Sequence, residues 1–433
     1  MSISPELVGV IGMVTLIIIL LSGMWIGFAM GFIGFVGFAY LGGVEPAFKV
    51  LATVPYSVLS DYTFPVIPLF ILMGIVVSNS RIGEDVYRAG YTWLGQFSGG
   101  LAVATSVACA AFAAICGTST AGTVTIGKVA VPEMKKYNYD DSLSTACVAA
   151  GGTLGILIPP SIGFVLYALL TEESVGKLFM AGILPGILLT ALFILSIVAT
   201  AWRNPRTAPP GPRTSFKQKR ASLRYCWATL CLFLLVLGGI YGGIFTPTEA
   251  GAIGAFGAIV IGTATRRINC QNFLNSLWET AQHTGMIVAV IIGAFIFMRF
   301  LAISKLPFAM AEIIRGLDLP RYAIFAVIIF IYIILGMFLD IFAAIILTVP
   351  IIFPTILALG FDPLWYGVIM VIMIEMGLIT PPVGLNVFVL SGVTGIPVGT
   401  IFRGVWPFVV SMLVGVIILT IFPEIALFLP NIM

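Results

Sequence analysis

The stretch Gly155-Ile-Leu-Ile-Pro-Pro160 lies inside a long apolar run, and Gly377-Leu-Ile-Thr-Pro-Pro382 repeats it 222 residues later. Proline lacks an N–H and its ring clashes with the preceding helical turn, and glycine weakens the helix nearby. Two consecutive prolines in such a run therefore leave several carbonyls without helical partners. At the same offset Pro132 meets Pro354 and Thr118 meets Asp340. The chain reads as two copies of one unit.

The setting of these breaks follows from composition. Of the 433 residues, 60% are hydrophobic and 9% charged, and the mean hydropathy is +1.14. A soluble domain carries about 45–50% apolar and about 25% charged residues, so this chain cannot supply a charged exterior. Barrel strands alternate in polarity, whereas runs such as 16–21 and 323–335 do not. The fold expected is an all-α polytopic membrane protein. A crossing needs about 20 apolar residues, which leaves room for roughly ten to twelve. Crossings are expected near 7–22, 25–41, 64–79, 142–170, 177–201, 227–244, 249–264, 282–302, 364–391 and 405–428. Two further segments, 98–132 and 321–358, read as re-entrant hairpins; the arms 98–115 and 120–132 look too short for full crossings. The amphipathic stretches 44–62, 81–97 and 268–280 are expected along the interface. Most of the seven tryptophans fall near span ends, as aromatic belts do.

Charge sets orientation. Arg81, Arg88, Lys128, Lys135, Lys136, Arg266, Arg267, Arg403 and the hydrophilic linker 203–224 fall on one side, together 15 of the 21 Lys/Arg. The positive-inside rule makes that side cytoplasmic and both termini periplasmic. Five crossings in the first unit, an odd number, turn the second upside down: an inverted-topology repeat, as in many secondary transporters. The units are expected as 1–202 and 225–433.

The same pattern narrows the function. No P-loop is present, so ATP bound to this chain would not power transport. An enzyme is not expected: HExxH is absent, His283 stands alone, and no paired acids share a helix face. The six cysteines form no CxxC pair, no basic-aromatic stretch suggests nucleic acid, and no basic region precedes the first apolar run as a signal peptide would require. An ion channel or a stand-alone anion transporter would also use broken helices. Unpaired carbonyls persist in lipid only when protein or a water-filled cavity covers them. With hydroxyls they suit a hard cation, while helix N-termini on the same cavity favour an anion.

The motifs Gly117-Thr-Ser-Thr-Ala121, 152–161, Tyr241-Gly-Gly-Ile-Phe-Thr-Pro-Thr-Glu-Ala-Gly251, Gly336-x-Phe-x-Asp340 and Ile379-Thr-Pro-Pro-Val-Gly384 occur in this order. In this the chain resembles the large membrane subunit of the tripartite ATP-independent periplasmic transporters over nearly its whole length. The resemblance implies import of a small organic acid driven by Na+ across the bacterial inner membrane. It further implies a periplasmic substrate-binding protein, a separate small four-helix membrane subunit, and an elevator. In the elevator, transport elements 98–202 and 321–433 slide against scaffold helices 1–97 and 225–320.

Candidate residues follow. One cation site is expected from Thr118 and Ser119 with carbonyls of Gly152, Thr153 and Gly155. Its mate is expected from Thr380 with carbonyls of Gly336, Phe338 and Pro382, supported by Asp340 and Asn386. Thr120, Ser161 and Arg299 are the candidates for the anionic substrate, although Arg299 could instead snorkel to the interface. Asp340 also suits a helix N-cap. Glu249 reads as the start of a helix capped by Thr248, Glu375 as either ligand or structural partner, and His283 as interfacial.

Overall fold

The computed structural model describes residues 4–211, 213–316 and 319–433, so Pro212 of the linker's Pro-Pro-Gly-Pro lies outside them. The first half contains α1 (Pro5–Leu21), α2 (Ile26–Gly42), α3 (Val44–Leu59), α4 (Val66–Asn79) and α5 (Ile82–Leu94). It continues with α6 (Gly100–Cys116), α7 (Ser119–Lys136), α8 (Asp141–Leu157), α9 (Ile162–Thr171) and α10 (Val175–Arg203). A short α11 (Phe216–Leu223) occupies the linker. The second half contains α12 (Trp227–Tyr241), α13 (Pro247–Ala264), α14 (Cys270–Ser304), α15 (Leu306–Arg315), α16 (Arg321–Phe338) and α17 (Ile341–Ala358). Then come α18 (Pro363–Gly377), α19 (Leu385–Thr394), α20 (Val398–Ile421) and the additional α21 (Glu424–Ile432).

The 222-residue offset holds for whole helices. The first residues of α1, α7 and α8 map onto those of α12, α17 and α18, and the last residue of α6 maps onto that of α16. Packing is reciprocal as well. Helix α2 packs on α14 while its counterpart α13 packs on α4, and α7 packs on α19 while α17 packs on α9. Small residues make the outer crossings close: Gly27 and Gly34 abut Ala289 and Phe297, and Gly251 and Gly254 abut Phe70 and Met73. Lipid offers no hydrophobic drive between helices, so such close backbone approach carries their association. The broken helices form the centre, with α8 buried from Leu143 and α18 from Leu364 to their C-terminal ends. Exposed apolar stripes on α1 (Val10, Val14, Ile17) and α20 (Val410, Val414, Ile417) run at helical spacing, as on lipid-facing helices.

Several boundaries differ from the sequence expectation for identifiable reasons. The hairpin arms are 17 and 18 residues in α6 and α7 and 18 each in α16 and α17. At 1.5 Å per residue each is about 26 Å long, so length does not separate re-entrance from crossing; α7 gains its extra turn from polar residues up to Lys136. The stretch 268–280 is not a separate interfacial helix, because α14 runs 35 residues without a break. In the first half the equivalent place holds Asp61 and Pro65, where the Asp61 carboxylate accepts from the Thr63 N–H at 2.7 Å and ends the preceding helix. The second half has His283 and Ile287 there, and nothing stops the helix. The span 142–170 is two helices, α8 and α9, bent by 40° at the Pro-Pro break.

The linker is tied to the protein. Gly211 N–H donates to the Gly95 carbonyl at 2.8 Å, and Trp93 Nε1 donates to the Lys219 carbonyl at 3.0 Å. Three of the basic groups assigned together by charge also meet: Arg81, Arg88 and Arg267 line one polar cavity with Glu133, and there Arg267 pairs with Asp85.

Candidate functional site

The first hairpin tip forms because Gly117 takes φ +71°, a left-handed conformation that glycine adopts without strain. Thr118 is then extended and Ser119 starts α7. Helix α8 presses against this tip through glycines. A Cβ on Gly155 would come 2.5 Å from the Thr118 carbonyl, and one on Gly152 would collide with the Thr123 hydroxyl. The Thr123 hydroxyl donates to the Ser119 carbonyl at 2.9 Å, and the Thr153 hydroxyl to the Ala150 carbonyl at 2.6 Å. Donating in this way leaves the lone pairs of the Thr153 hydroxyl oxygen available. Beyond the prolines, Ser161 is buried and caps α9 by accepting from the Phe164 N–H at 3.2 Å.

The second tip is built differently. Leu339 is extended and Asp340 caps α17, its carboxylate accepting from the Ala343 N–H at 3.1 Å. Gly336 and Gly377 bring α16 and α18 into backbone contact; a Cβ on Gly336 would sit 2.7 Å from the Ile374 carbonyl. After the break the Thr380 hydroxyl donates to the Met376 carbonyl at 2.6 Å, and the Asn386 N–H donates to the Leu378 carbonyl at 3.1 Å. The Asn386 side-chain amide is fully buried with neither O nor N partnered, and so are both oxygens of Glu375.

The two tips meet in one cavity of about 240 Å³. Its wall includes Thr118, Ser119, Thr120 and Ala121 from the first tip, and Asp340, Ile341 and Phe342 from the second. Ile71 and Gly74 of α4 and His283, Met286 and Ile287 of α14 close the other side. Ser119, Ile162, Ile341 and Leu385 all line it, and these are the first residues of α7, α9, α17 and α19. Four helix N-termini thus converge on one space. Each carries about half a positive charge, although some first-turn N–H groups are already taken, as the Asn386 N–H of α19 is by the Leu378 carbonyl. Side chains cap two of them, Ser161 on α9 and Asp340 on α17; α7 and α19 have no side-chain cap. The arrangement can hold an anion against the uncapped ends, with carbonyl and hydroxyl oxygens behind each tip.

The structure brings Thr118, Ser119, Thr120 and Asp340 together around the cavity. Gly152, Thr153 and Gly155 stand behind the first tip; Gly336, Phe338, Thr380, Pro382 and Asn386 belong to the second hairpin and break. Arg299 is elsewhere. It is exposed on α14, sixteen residues past His283, about 24 Å along the helix. His283 is not at a helix end, since α14 starts thirteen residues earlier, and it is an exposed residue on the wall of the cavity at the tips. The signal for it was the unbroken run opposite Asp61 and Pro65. Glu249 starts its helix as expected, but the cap is Thr246, with Glu249 accepting from the Thr246 N–H at 2.8 Å. Thr248 instead donates to the Tyr62 carbonyl at 3.2 Å.

Residues 13–425 match the family model described as "Tripartite ATP-independent periplasmic transporter, DctM component". The C4-dicarboxylate TRAP transporter large permease protein DctM of Pseudomonas aeruginosa is 38% identical over 400 residues, covering 90% of this chain and 93% of that protein. The isethionate TRAP transporter permease protein DctMQ of Oleidesulfovibrio alaskensis is 35% identical, covering 87% of this chain and 60% of that one. Among solved structures, the Alcanivorax borkumensis YdaH transporter superposes with a TM-score of 0.66 at 15% identity, covering 90% and 88% of the two chains. That last likeness concerns the fold.

Proposed function

The chain belongs to the tripartite ATP-independent periplasmic transporter family, DctM component, and on that premise we propose that it imports a small carboxylate or sulfonate with Na+. The observation that carries this reading is the convergence of four helix N-termini and both hairpin tips on one cavity. The positive helix ends favour an anionic head. A cavity of about 240 Å³ is smaller than the roughly 300–1,000 Å³ of drug-sized sites, which suits an acid of few carbons. The relatives named for C4-dicarboxylates and isethionate transport anions of that kind.

The cations are cargo here. Thr118 and Ser119 with the carbonyls of Gly152, Thr153 and Gly155 hold one; Thr380, Asp340 and Asn386 with the carbonyls of Gly336, Phe338 and Pro382 hold the other. No group of three His, Cys, Asp or Glu side chains among the described residues could hold a metal ion; the donor set is neutral oxygen at the first tip and neutral oxygen plus the Asp340 carboxylate at the second, which suits a weakly held monovalent ion. Binding of sodium orders the tips, and the substrate then docks between them. Hairpins 98–132 and 321–358 are re-entrant from opposite faces. Elements 98–202 and 321–433 move as a transport body against 1–97 and 225–320. The chain acts in the bacterial inner membrane with both termini periplasmic and linker 203–224 cytoplasmic, beside a small four-helix subunit and a periplasmic binding protein.

The test is reconstitution with the small subunit and candidate binding proteins, measuring uptake with and without an inward sodium gradient. Uptake that saturates and follows the gradient supports the reading; ohmic current or gradient-independent flux removes it. Re-entrance is checked by single cysteines in a chain freed of its own six. Cysteine at Ala121 labelling only from outside, with cysteine at Lys135 labelling only from inside, would mean a complete crossing.

A further inference from the structure

Glu375 is 1% exposed, lies within the central helix α18, and neither carboxylate oxygen has a hydrogen-bond partner. None of the ion pairs among the described residues includes it. A carboxylate held in this way inside a membrane protein is costly and by default functional, because burial without a partner forfeits hydration with no return. The Ser119 hydroxyl at the tip of the first hairpin is a polar neighbour of the carboxylate, but no hydrogen bond joins them.

The two halves make the position informative. Where the second tip has the carboxylate of Asp340, the first has Thr118, so the first tip carries no charge of its own. Where α18 has Glu375, α8 has the uncharged Thr153. Both carboxylates of the centre come from the second half, and one of them neighbours the tip that lacks one.

We infer that Glu375 is a ligand of the cation bound at the first hairpin tip, supplying its negative charge across the boundary between the halves. Each tip is then matched with one carboxylate, Asp340 for the second and Glu375 for the first. The cation joins Ser119 of hairpin 98–132 to α18, so loading the first position also fastens the two halves of the centre together. This inference rests on the sodium-coupled reading above.

The experiment uses the full chain in nanodiscs, with equilibrium binding of radioactive sodium and sodium-dependent thermal stabilisation against a choline reference. Glu375→Gln, close in shape and uncharged, should lose one bound sodium per chain. Affinity at that position should fall by roughly a hundredfold to a few thousandfold, the scale on which removing one partner of a buried charge pair acts. An unchanged sodium count and affinity in Glu375→Gln overturns the inference. Should that variant not reach the membrane, Glu375→Asp keeps the charge on a shorter arm: weakened sodium binding with altered lithium preference supports the assignment, and wild-type binding overturns it. Absence of sodium binding by the wild-type chain would instead remove the coupled reading itself, so the two failures are told apart.

Discussion

Asp340→Asn is expected to fold and insert normally yet lose sodium-coupled uptake. A carboxylate near the bilayer centre costs roughly 2.5–3.5 kcal/mol on insertion scales, so it persists only with compensation. One part of that is visible: the carboxylate caps α17 through the Ala343 N–H at 3.1 Å. Asparagine caps a helix about as well, so the cap survives the change while the charge beside the cavity does not. Asp340→Ala removes both, and should also lose about 1 kcal/mol of helix stability, seen as lower expression and a lower melting temperature. Uptake assays at varied external sodium separate the roles. Normal transport by Asp340→Asn with an unchanged sodium dependence would leave Asp340 as a cap alone.

Gly377→Ala is expected to abolish uptake and destabilise the chain. A Cβ there would lie within van der Waals collision distance of the Gly336 backbone, and backbone cannot step aside as a flexible side chain can. Helices α16 and α18 must separate, at about 1–3 kcal/mol for overpacking of a close-packed interior, and the second tip moves off the break it rests on. The control is Gly238→Ala in α12, where a Cβ meets nothing within 4 Å and better helix propensity should be neutral or slightly stabilising. Thermal melts of the two purified variants against wild type decide it. Equal melts, with uptake retained in Gly377→Ala, would show that the contact is not tight.

Much was legible from residue order because local chemistry carried it. Apolar run length set the helices, Pro-Pro at 159–160 and 381–382 set the breaks, and one repeated motif gave an offset that the helix starts of α1, α7 and α8 then obey. The cap of α17 follows from Asp340 being the kind of residue that accepts first-turn N–H groups, whereas the cap that Ser161 places on α9 was not read from the sequence. Helix ends were less legible. Nothing in the local pattern of 268–302 distinguished an interfacial helix followed by a crossing from one helix of 35 residues, because amphipathic and apolar segments join smoothly when no proline intervenes.

By itself, the sequence determined that this chain is a helical membrane protein made of two related halves with broken elements at membrane depth. Those conclusions rest on hydropathy, breakers and spacing, which act over a few residues. Tertiary structure alone decided which of the broken ends meet. It placed the first residues of α7, α9, α17 and α19 around one space, put His283 on the wall of that space, left Arg299 on an exposed face, and stripped Glu375 of partners. The physical reason is that each of these is a matter of helix rotation and of packing between separate helices, set by residues far apart in the chain. Close glycine contacts such as Gly155 on Thr118 and Gly377 on Gly336 set that packing, and a glycine does not announce in sequence which backbone will lie against it.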